Sequence, residues 1–235
     1  MDRPRELRDR VLIRSAITVL HAVANRYTSS PLPEWDSFAR TVKLIRYPAR
    51  AEVEQSERDI LIILSGLIKE VHETPEIAGQ ISEFFVGGSV IATRLLPLWA
   101  NSHSTPFSVS KRLGKRSIIP PMTAYAIEPT TVLRLDYRVV QQLSRQYPQW
   151  GEVQTAFLWT YVEEQYSSIL HLRTKDTAER YRSLMQRQGI AGRVNQRDIA
   201  SYLGITESAL SRLIRRLGES SEETLDESSE ETGDE

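Results

Sequence analysis

The sequence predicts an α+β fold, with short β-strands in the middle of the chain and helices towards both ends. Apolar runs of four to six residues, separated by turn formers, fill residues 38–136 and are typical of strands in a sandwich or jelly-roll-like barrel. Helical periodicity covers residues 1–30 and returns after Pro148. The last seventeen residues are mostly Ser, Glu, Asp and Thr, which indicates a tail without a packed core.

The N-terminal segment, residues 1–30, is predicted to be an amphipathic helix. Its apolar residues at positions 7, 11, 13, 17, 20 and 24 recur at helical spacing. Arginines followed by an apolar run are also the layout of a signal peptide, but Arg14 interrupts this run, so the helix is favoured. No apolar run reaches the roughly 18 residues that span a bilayer. We therefore expect a cytoplasmic protein with no membrane partner.

Residues 31–147 are predicted to form one strand-rich domain. Apolar runs at 42–45, 60–64, 66–71 and 132–135 are separated by turn signals such as Ser65-Gly66 and Gly87-Gly88. Residues 96–121 are richer in Pro, Ser and basic residues and are expected to hold a long loop. The chain has no cysteine, which excludes disulfides, thiolate catalysis and cysteine-ligated clusters.

A long helix over residues 148–173 is predicted to pair with a second copy of the chain. Five of its residues are spaced 4, 3, 4 and 3, as in a heptad seam with one polar member: Leu158, Val162, Gln165, Ile169 and Leu172. The alternative is a helix that packs on its own domain.

Residues 174–218 are predicted to contain a helix-turn-helix. Asn195 can cap a first helix whose apolar face is Ile199, Ala200 and Leu203, and Gly204 allows the positive φ of a tight turn. A second helix then begins after the cap residue Thr206. It is anchored by leucines at i, i+3 and i+7, namely Leu210, Leu213 and Leu217.

These anchors predict which side chains of the motif face DNA. The predicted DNA-binding residues are Gln196, Arg197, Thr206, Glu207, Ser208, Ser211, Arg212, Arg215 and Arg216. Arg212 is the candidate for bidentate contact with guanine, whereas Arg197, Arg215 and Arg216 suit phosphates. Residues 187–218 contain six arginines and two acidic residues, a basic footprint for double-stranded DNA. The alternative is a helical hairpin that docks to RNA polymerase or another protein.

The acidic tail, residues 219–235, is predicted to be disordered. It carries nine acidic residues, no basic residue and one apolar residue, Leu225. The remaining 30 basic and 22 acidic residues leave a net charge of +8 on the body of the chain. Opposite charge suggests the hypothesis that the tail competes with DNA for the basic face.

The order of these parts resembles the Crp/Fnr family of bacterial regulators. The stretch 199–206, followed by Leu210-Ser211-Arg212, is very similar to the DNA-binding signature of the family, and segments 64–69, 83–91 and 126–136 resemble parts of its β-roll. The resemblance covers about residues 38–217. It implies a cyclic-nucleotide-binding-like β-roll, a long dimerisation helix and a helix-turn-helix. It also implies a homodimeric, non-enzymatic transcription regulator that binds a palindromic promoter site and contacts RNA polymerase.

The sequence departs from the family pattern at the effector site. Ala92-Thr93 and Pro120-Pro121 stand where cyclic-AMP-binding members have Gly-Glu and Arg-Ser or Arg-Thr pairs, so the resemblance implies a regulator not controlled by cyclic AMP. Ser208 replaces a glutamate common in the recognition helix, which implies a different base preference, and the usual wing after that helix is absent from the sequence.

No cofactor is predicted, and the sequence assigns no effector. Some family members carry haem, for which His72 or His103 are conceivable ligands, but solvated histidines are favoured. A metal-dependent β-roll enzyme is disfavoured because the four histidines form no close pair. The tryptophans are predicted to be core or packing residues rather than to form a ligand cage; they are Trp35, Trp99, Trp150 and Trp159.

Overall fold

The computed structural model describes residues 3–56, 58–73, 78–92, 122–187 and 189–230. Within these residues the chain forms seven α-helices, one 3₁₀ turn and seven strands. The helices are α1 Arg3–Ala24, α2 Trp35–Ala39, α3 Tyr137–Gln146, α4 Pro148–Thr174, α5 Thr177–Gln186, α6 Gln196–Leu203 and α7 Glu207–Glu230, and the 3₁₀ turn is Asn25–Tyr27. The strands are β1 Lys43–Tyr47, β2 Asp59–Ser65, β3 Leu67–Glu73, β4 Ala78–Val86, β5 Val90–Ile91, β6 Met122–Ala126 and β7 Thr130–Asp136.

The strands form two antiparallel sheets that enclose an apolar core. One sheet has the order β1-β7-β2-β5 and the other the order β4-β3-β6. Buried residues from both sheets meet between them, including Leu61, Ile63 and Val132 from the first and Ile68 and Ala126 from the second. This two-sheet arrangement is the roll that the alternating apolar runs predict.

The two sheets are connected at Gly66, between β2 and β3. Gly66 has a φ of +102°, and a side chain there would meet the backbone of Thr130 at 2.6 Å. The buried Thr130 hydroxyl in turn accepts a hydrogen bond from the Leu67 amide over 3.2 Å. Only glycine combines this conformation with so close an approach.

Helices from both sides of the roll cover the outer face of the four-stranded sheet. Trp150 of α4 and Phe38 of α2 are buried there, with ring centroids 4.8 Å apart, and Trp35 stacks on Trp150 at 5.9 Å. The Trp150 indole donates to the Pro33 carbonyl over 2.8 Å. The predicted packing of Trp35 and Trp150 is confirmed; Trp99 lies outside the described residues.

The outer face of the three-stranded sheet is covered by the C-terminal helices. Leu67, Val71, Ile81 and Phe84 from β3 and β4 share one apolar cluster with buried residues of α5, α6 and α7. The sheet therefore has two apolar faces, one towards the interior of the roll and one towards the helix-turn-helix.

The fold class predicted from the sequence is confirmed. The sequence analysis did not identify the short helices α2 and α3. The predicted loop over 96–121 lies outside the described residues. The disorder of the tail over 219–235 stays a prediction, although α7 continues to Glu230. Its first turns are already fixed by packing, and adding further turns to a formed helix is far less costly than nucleating one.

Candidate nucleic-acid interface

Helix α6 is the first helix of the predicted motif, and the structure confirms its local signals. The Asn195 side chain accepts a hydrogen bond from the Asp198 amide over 2.8 Å and so caps the helix. Ile199, Ala200 and Leu203 are buried. Gly204 ends the helix with a φ of +71°, and its amide bonds back to the carbonyls of the last turn.

Helix α7 begins after Thr206, whose hydroxyl accepts a hydrogen bond from the Ala209 amide over 3.2 Å. Leu210 and Leu213 are buried, and Leu217 and Ile205 pack partly buried against the same cluster. These apolar contacts fix the rotation of α7 about its own axis. The opposite side of the helix therefore faces outward.

The nine residues predicted to bind DNA are all exposed: Gln196, Arg197, Thr206, Glu207, Ser208, Ser211, Arg212, Arg215 and Arg216. The Ser211 hydroxyl donates to the Glu207 carbonyl over 3.0 Å, and the Arg212 Nε donates to the Ser208 carbonyl over 3.4 Å. Both bonds run along the helix to the residue four positions earlier. The side chains stay on the surface of α7, on the side away from the leucine anchors.

Helix α4 has two parts with different surroundings. Its first half packs on its own chain through Trp150, Val153 and Phe157. Tyr161 is half-buried, and burial raises the pKa of its phenol, with further increases from the carboxylates of Glu70 and Glu164. The described side chains from residue 162 to the end of the helix are exposed.

The exposed part of α4 carries an apolar surface. Its large members and their exposed fractions are Trp159 65%, Val162 51%, Tyr166 63%, Ile169 51%, Leu170 41% and Leu172 59%. We call these six residues the α4 apolar face. Exposed apolar patches are enriched at sites of contact with other molecules.

The α4 apolar face is broader than the seam predicted from the sequence. Of the predicted dimerisation residues, Val162, Ile169 and Leu172 lie in it and Leu158 is half-buried, whereas the side chain of Gln165 lies outside the described residues. Sequence reasoning missed Tyr166 and Leu170. Trp159, predicted to be a core or packing residue, is exposed in the chain and lies in this face. The spacing of 3, 4 and 3 from Trp159 through residues 162, 166 and 169 is the signal that could have found this face.

The region aligned with the effector site is described only in part. Ala92 is buried in the apolar cluster beneath the helices, while Thr93, Pro120 and Pro121 lie outside the described residues. A buried carboxylate on β3, that of Glu70, accepts a hydrogen bond from the Ser82 hydroxyl over 3.3 Å. Sequence reasoning missed Glu70, because a charged residue within a strand run carries no signal of burial.

Within the ranges that the structure describes, no group of three or more His, Asp or Glu side chains is arranged to hold a metal ion. His72 is half-buried on β3, and His103 lies outside the described residues. Over the same part of the chain, no helix combines the length and apolarity that crossing a membrane would need.

Comparisons with known proteins identify related structures but no close sequence relative. No protein-family model matches the sequence, and no curated protein matches it. FixK2 from Bradyrhizobium japonicum is similar with a TM-score of 0.55 and 18% identity, over 77% of this chain and 86% of that one. The c-di-GMP-responsive global regulator CLP from Xanthomonas campestris has a TM-score of 0.51 and 16% identity, over 79% and 91%. A CooA mutant from Carboxydothermus hydrogenoformans has a TM-score of 0.51 and 18% identity, over 82% and 86%.

At these identities the comparisons establish the fold. Each of these matches covers more than three quarters of this chain. The resemblance noted in the sequence is confirmed at this level: the chain has the fold of Crp/Fnr-family regulators.

Proposed function

We propose that this chain is a cytoplasmic, sequence-specific DNA-binding regulator of transcription of the Crp/Fnr type, and not an enzyme. The observation that carries the proposal is the orientation of α7. Its buried leucines hold one side against the protein, while Ser211, Arg212 and Arg215 on the other side are exposed. A helix presented in this way suits the major groove of DNA.

Each exposed residue has a role that fits its position. Arg212 lies within the outward side of α7 and is the candidate to read guanine, because a guanidinium can donate two parallel hydrogen bonds to that base. Arg197, Arg215 and Arg216 provide charge for phosphates, and Gln196 lies at the N-terminus of α6, where backbone contact with DNA is common. Thr206, Glu207, Ser208 and Ser211 complete the surface at the start of α7.

The active form is proposed to be a homodimer that pairs through the α4 apolar face. Val162 and Ile169 are each 51% exposed and lie one heptad apart. Pairing two such faces would remove them from water. Two recognition helices related by this dimer would contact a palindromic promoter site at half-sites about one helical turn apart, with RNA polymerase as a further partner.

The roll is proposed to act without cyclic AMP. Ala92 stands at one of the positions where cyclic-AMP-binding members hold the ribose, and it is buried in an apolar cluster. Thr93 stands in place of the glutamate of that pair, so the sequence has no carboxylate there for the ribose 2′-hydroxyl. Marked thermal stabilisation of the protein by cyclic AMP would contradict this part of the proposal.

The experiment that tests the proposal begins with selection of bound duplexes from a random pool by the full chain. Arg212→Ala should flatten the preference at one base pair per half-site, which corresponds to about 1–3 kcal/mol of lost discrimination. Arg182→Ala is the matched control, since Arg182 is an exposed arginine on α5, outside the motif. Enrichment of no sequence by the wild-type chain would refute the proposal.

The same variants separate DNA reading from protein docking. If the motif docks to RNA polymerase or another protein, Arg212→Ala should leave DNA behaviour unchanged and weaken binding to purified polymerase. Loss of base preference with intact polymerase binding supports DNA reading.

A further inference from the structure

The helix-turn-helix is packed directly against the roll of its own chain. Leu67 and Phe84 of the three-stranded sheet are fully buried in the same cluster as Leu203 and Leu210 of the motif. The rings of Phe84 and Tyr202 lie 5.3 Å apart. An apolar contact of this kind has little directional preference, so polar contacts at its edge determine the orientation of the two parts.

The most buried polar contact at this junction joins β3 to the start of α6. Lys69 Nζ donates to both carboxylate oxygens of Asp198, over 2.9 and 2.8 Å. Asp198 is 8% exposed and also accepts a hydrogen bond over 3.2 Å from Asn195, whose side chain caps α6. Lys69 thus reaches the capped end of the helix that precedes the recognition helix.

Two further ion pairs attach the segment between α5 and α6 to the roll, one at β4 and one at the turn between β6 and β7. Arg187 pairs with Glu83 at 2.7 Å and also donates to the Phe84 carbonyl over 3.0 Å. Burial lowers the pKa of the Arg187 guanidinium, but the attraction of Glu83 and Tyr202 outweighs it, so its pKa lies above the ordinary value. Arg193 pairs with Glu128 at 2.5 Å. The segment that connects α5 to α6 is therefore attached to the roll at two points along its length.

Strand β3 relates this contact to the interior of the roll. Leu67 faces outward and belongs to the helix-turn-helix cluster, whereas the next residue, Ile68, faces inward and belongs to the core of the roll. Lys69, which follows Ile68, is on the outer face with Leu67, and the next residue, Glu70, is buried. Because successive side chains of a strand point to opposite faces, any shift of β3 moves inner and outer contacts together.

From these contacts we infer that Lys69 is a positioning residue, whose ion pair with Asp198 holds the helix-turn-helix in one orientation on the outer face of the three-stranded sheet. The consequence for DNA affinity rests on the proposed function. The docking itself does not, and it can be measured without DNA.

The test compares variants of the full chain by hydrogen exchange of the α6 amides and by affinity for a duplex selected from a random pool. Lys69→Met keeps the length of the side chain and removes its charge. It should speed exchange in α6 and weaken DNA binding, each about tenfold, because Asp198 loses its cationic partner. Lys69→Arg should retain both properties.

Lys43→Met is the matched control, since it removes the same charge from an exposed position on β1, away from this junction. It should leave exchange in α6 unchanged. If Lys69→Met does not fold, Asp198→Asn breaks the same pair from the other side and should give the same two effects.

Several outcomes would overturn the inference. Unchanged exchange in α6 on loss of Lys69 would show that the pair does not hold the motif, and tighter DNA binding would show that it restrains the motif instead. An equal loss of affinity in Lys43→Met would assign the effect to net charge. If the wild-type chain selects no duplex, the proposed function fails, while the exchange measurement still decides the role of the pair.

Discussion

Ser201 of α6 is hydrogen-bonded to the beginning of β4: its hydroxyl accepts from the Ile81 amide over 3.0 Å and donates to the Gly79 carbonyl over 3.2 Å. Some polar residues of α6 therefore face solvent, and others face the roll. Gln196 and Arg197 are exposed, whereas Asp198 and Ser201 contact the roll. Helix α6 therefore contacts the roll on one side and carries exposed polar residues on the other, directly before α7.

A lysine in the α4 apolar face should convert a dimer into a monomer. We expect this of Ile169→Lys because the charge would be buried between two helices at the centre of the proposed interface, where an unpaired charge is very costly. Analytical ultracentrifugation across a concentration series measures the change. Ser167→Lys places the same side chain on an exposed position of the same helix, outside this face, and should leave the assembly intact. Equal sedimentation of all three proteins would exclude α4 as the interface.

Replacement of Gly204 by alanine should destabilise the turn between α6 and α7. Gly204 has a φ of +71°, a conformation that costs a residue with a Cβ roughly 1 kcal/mol or more. Gly218→Ala is the matched control: Gly218 lies within α7, and a Cβ there would meet nothing within 4 Å. That change should be neutral or stabilising by up to about 1 kcal/mol, since alanine favours helix. Denaturant unfolding measures both, and equal effects would contradict the role of the turn.

Gly66 should tolerate a side chain far less well than Gly88, although both have positive φ. Alanine at Gly66 would meet the Thr130 backbone at 2.6 Å, whereas at Gly88 it would meet nothing within 4 Å. We expect about 1–2 kcal/mol of destabilisation from conformation alone in Gly88→Ala. In Gly66→Ala the clash adds to that, and a total of about 3 kcal/mol or more is expected. Thermal unfolding measures the loss of stability in the two variants. Similar losses in both would show that Gly66 and Thr130 can move apart to make room for a side chain.

Local signals were sufficient to predict the helix-turn-helix. Asn195, Gly204 and Thr206 act on residues within four positions of themselves, so capping and turn chemistry could be inferred from the sequence. The strands β2 and β7 were predictable for the same reason, because each is a short apolar run bounded by turn formers within its own segment. The broad α4 apolar face was only partly predicted, since a heptad seam selects one line of residues on a helix.

The contacts between the roll and the motif could not be predicted in this way. Lys69 and Asp198 are 129 residues apart, and each is an ordinary surface residue type in its own segment. Their pairing depends on which face of the three-stranded sheet the C-terminal helices cover. That choice is set by the combined packing of residues such as Leu67, Phe84 and Leu210, which no single segment reveals.

The start of α3 should contribute stability that is lost in acid. Asp136 caps this helix by accepting from the Arg138 amide over 2.9 Å, and the Arg138 guanidinium bonds to both of its carboxylate oxygens. The hydrogen bonds to that guanidinium are the largest cause that lowers the pKa of Asp136 from its ordinary value of 3.8, partly opposed by burial. A depressed pKa in the folded state means that the contribution is complete above the ordinary value and disappears as the pH falls below it.

Asp136→Asn retains a capping side chain but cannot ionise, so it isolates this charge. The free energy of unfolding of the wild-type protein should exceed that of Asp136→Asn at pH 7, and the difference should shrink between about pH 4 and pH 2. Chemical denaturation at a series of pH values measures it. Arg138→Met should reduce the same difference by removing the partner of the carboxylate. A gap between wild type and Asp136→Asn that stays constant down to pH 2 would mean that the charge of Asp136 does not stabilise the fold.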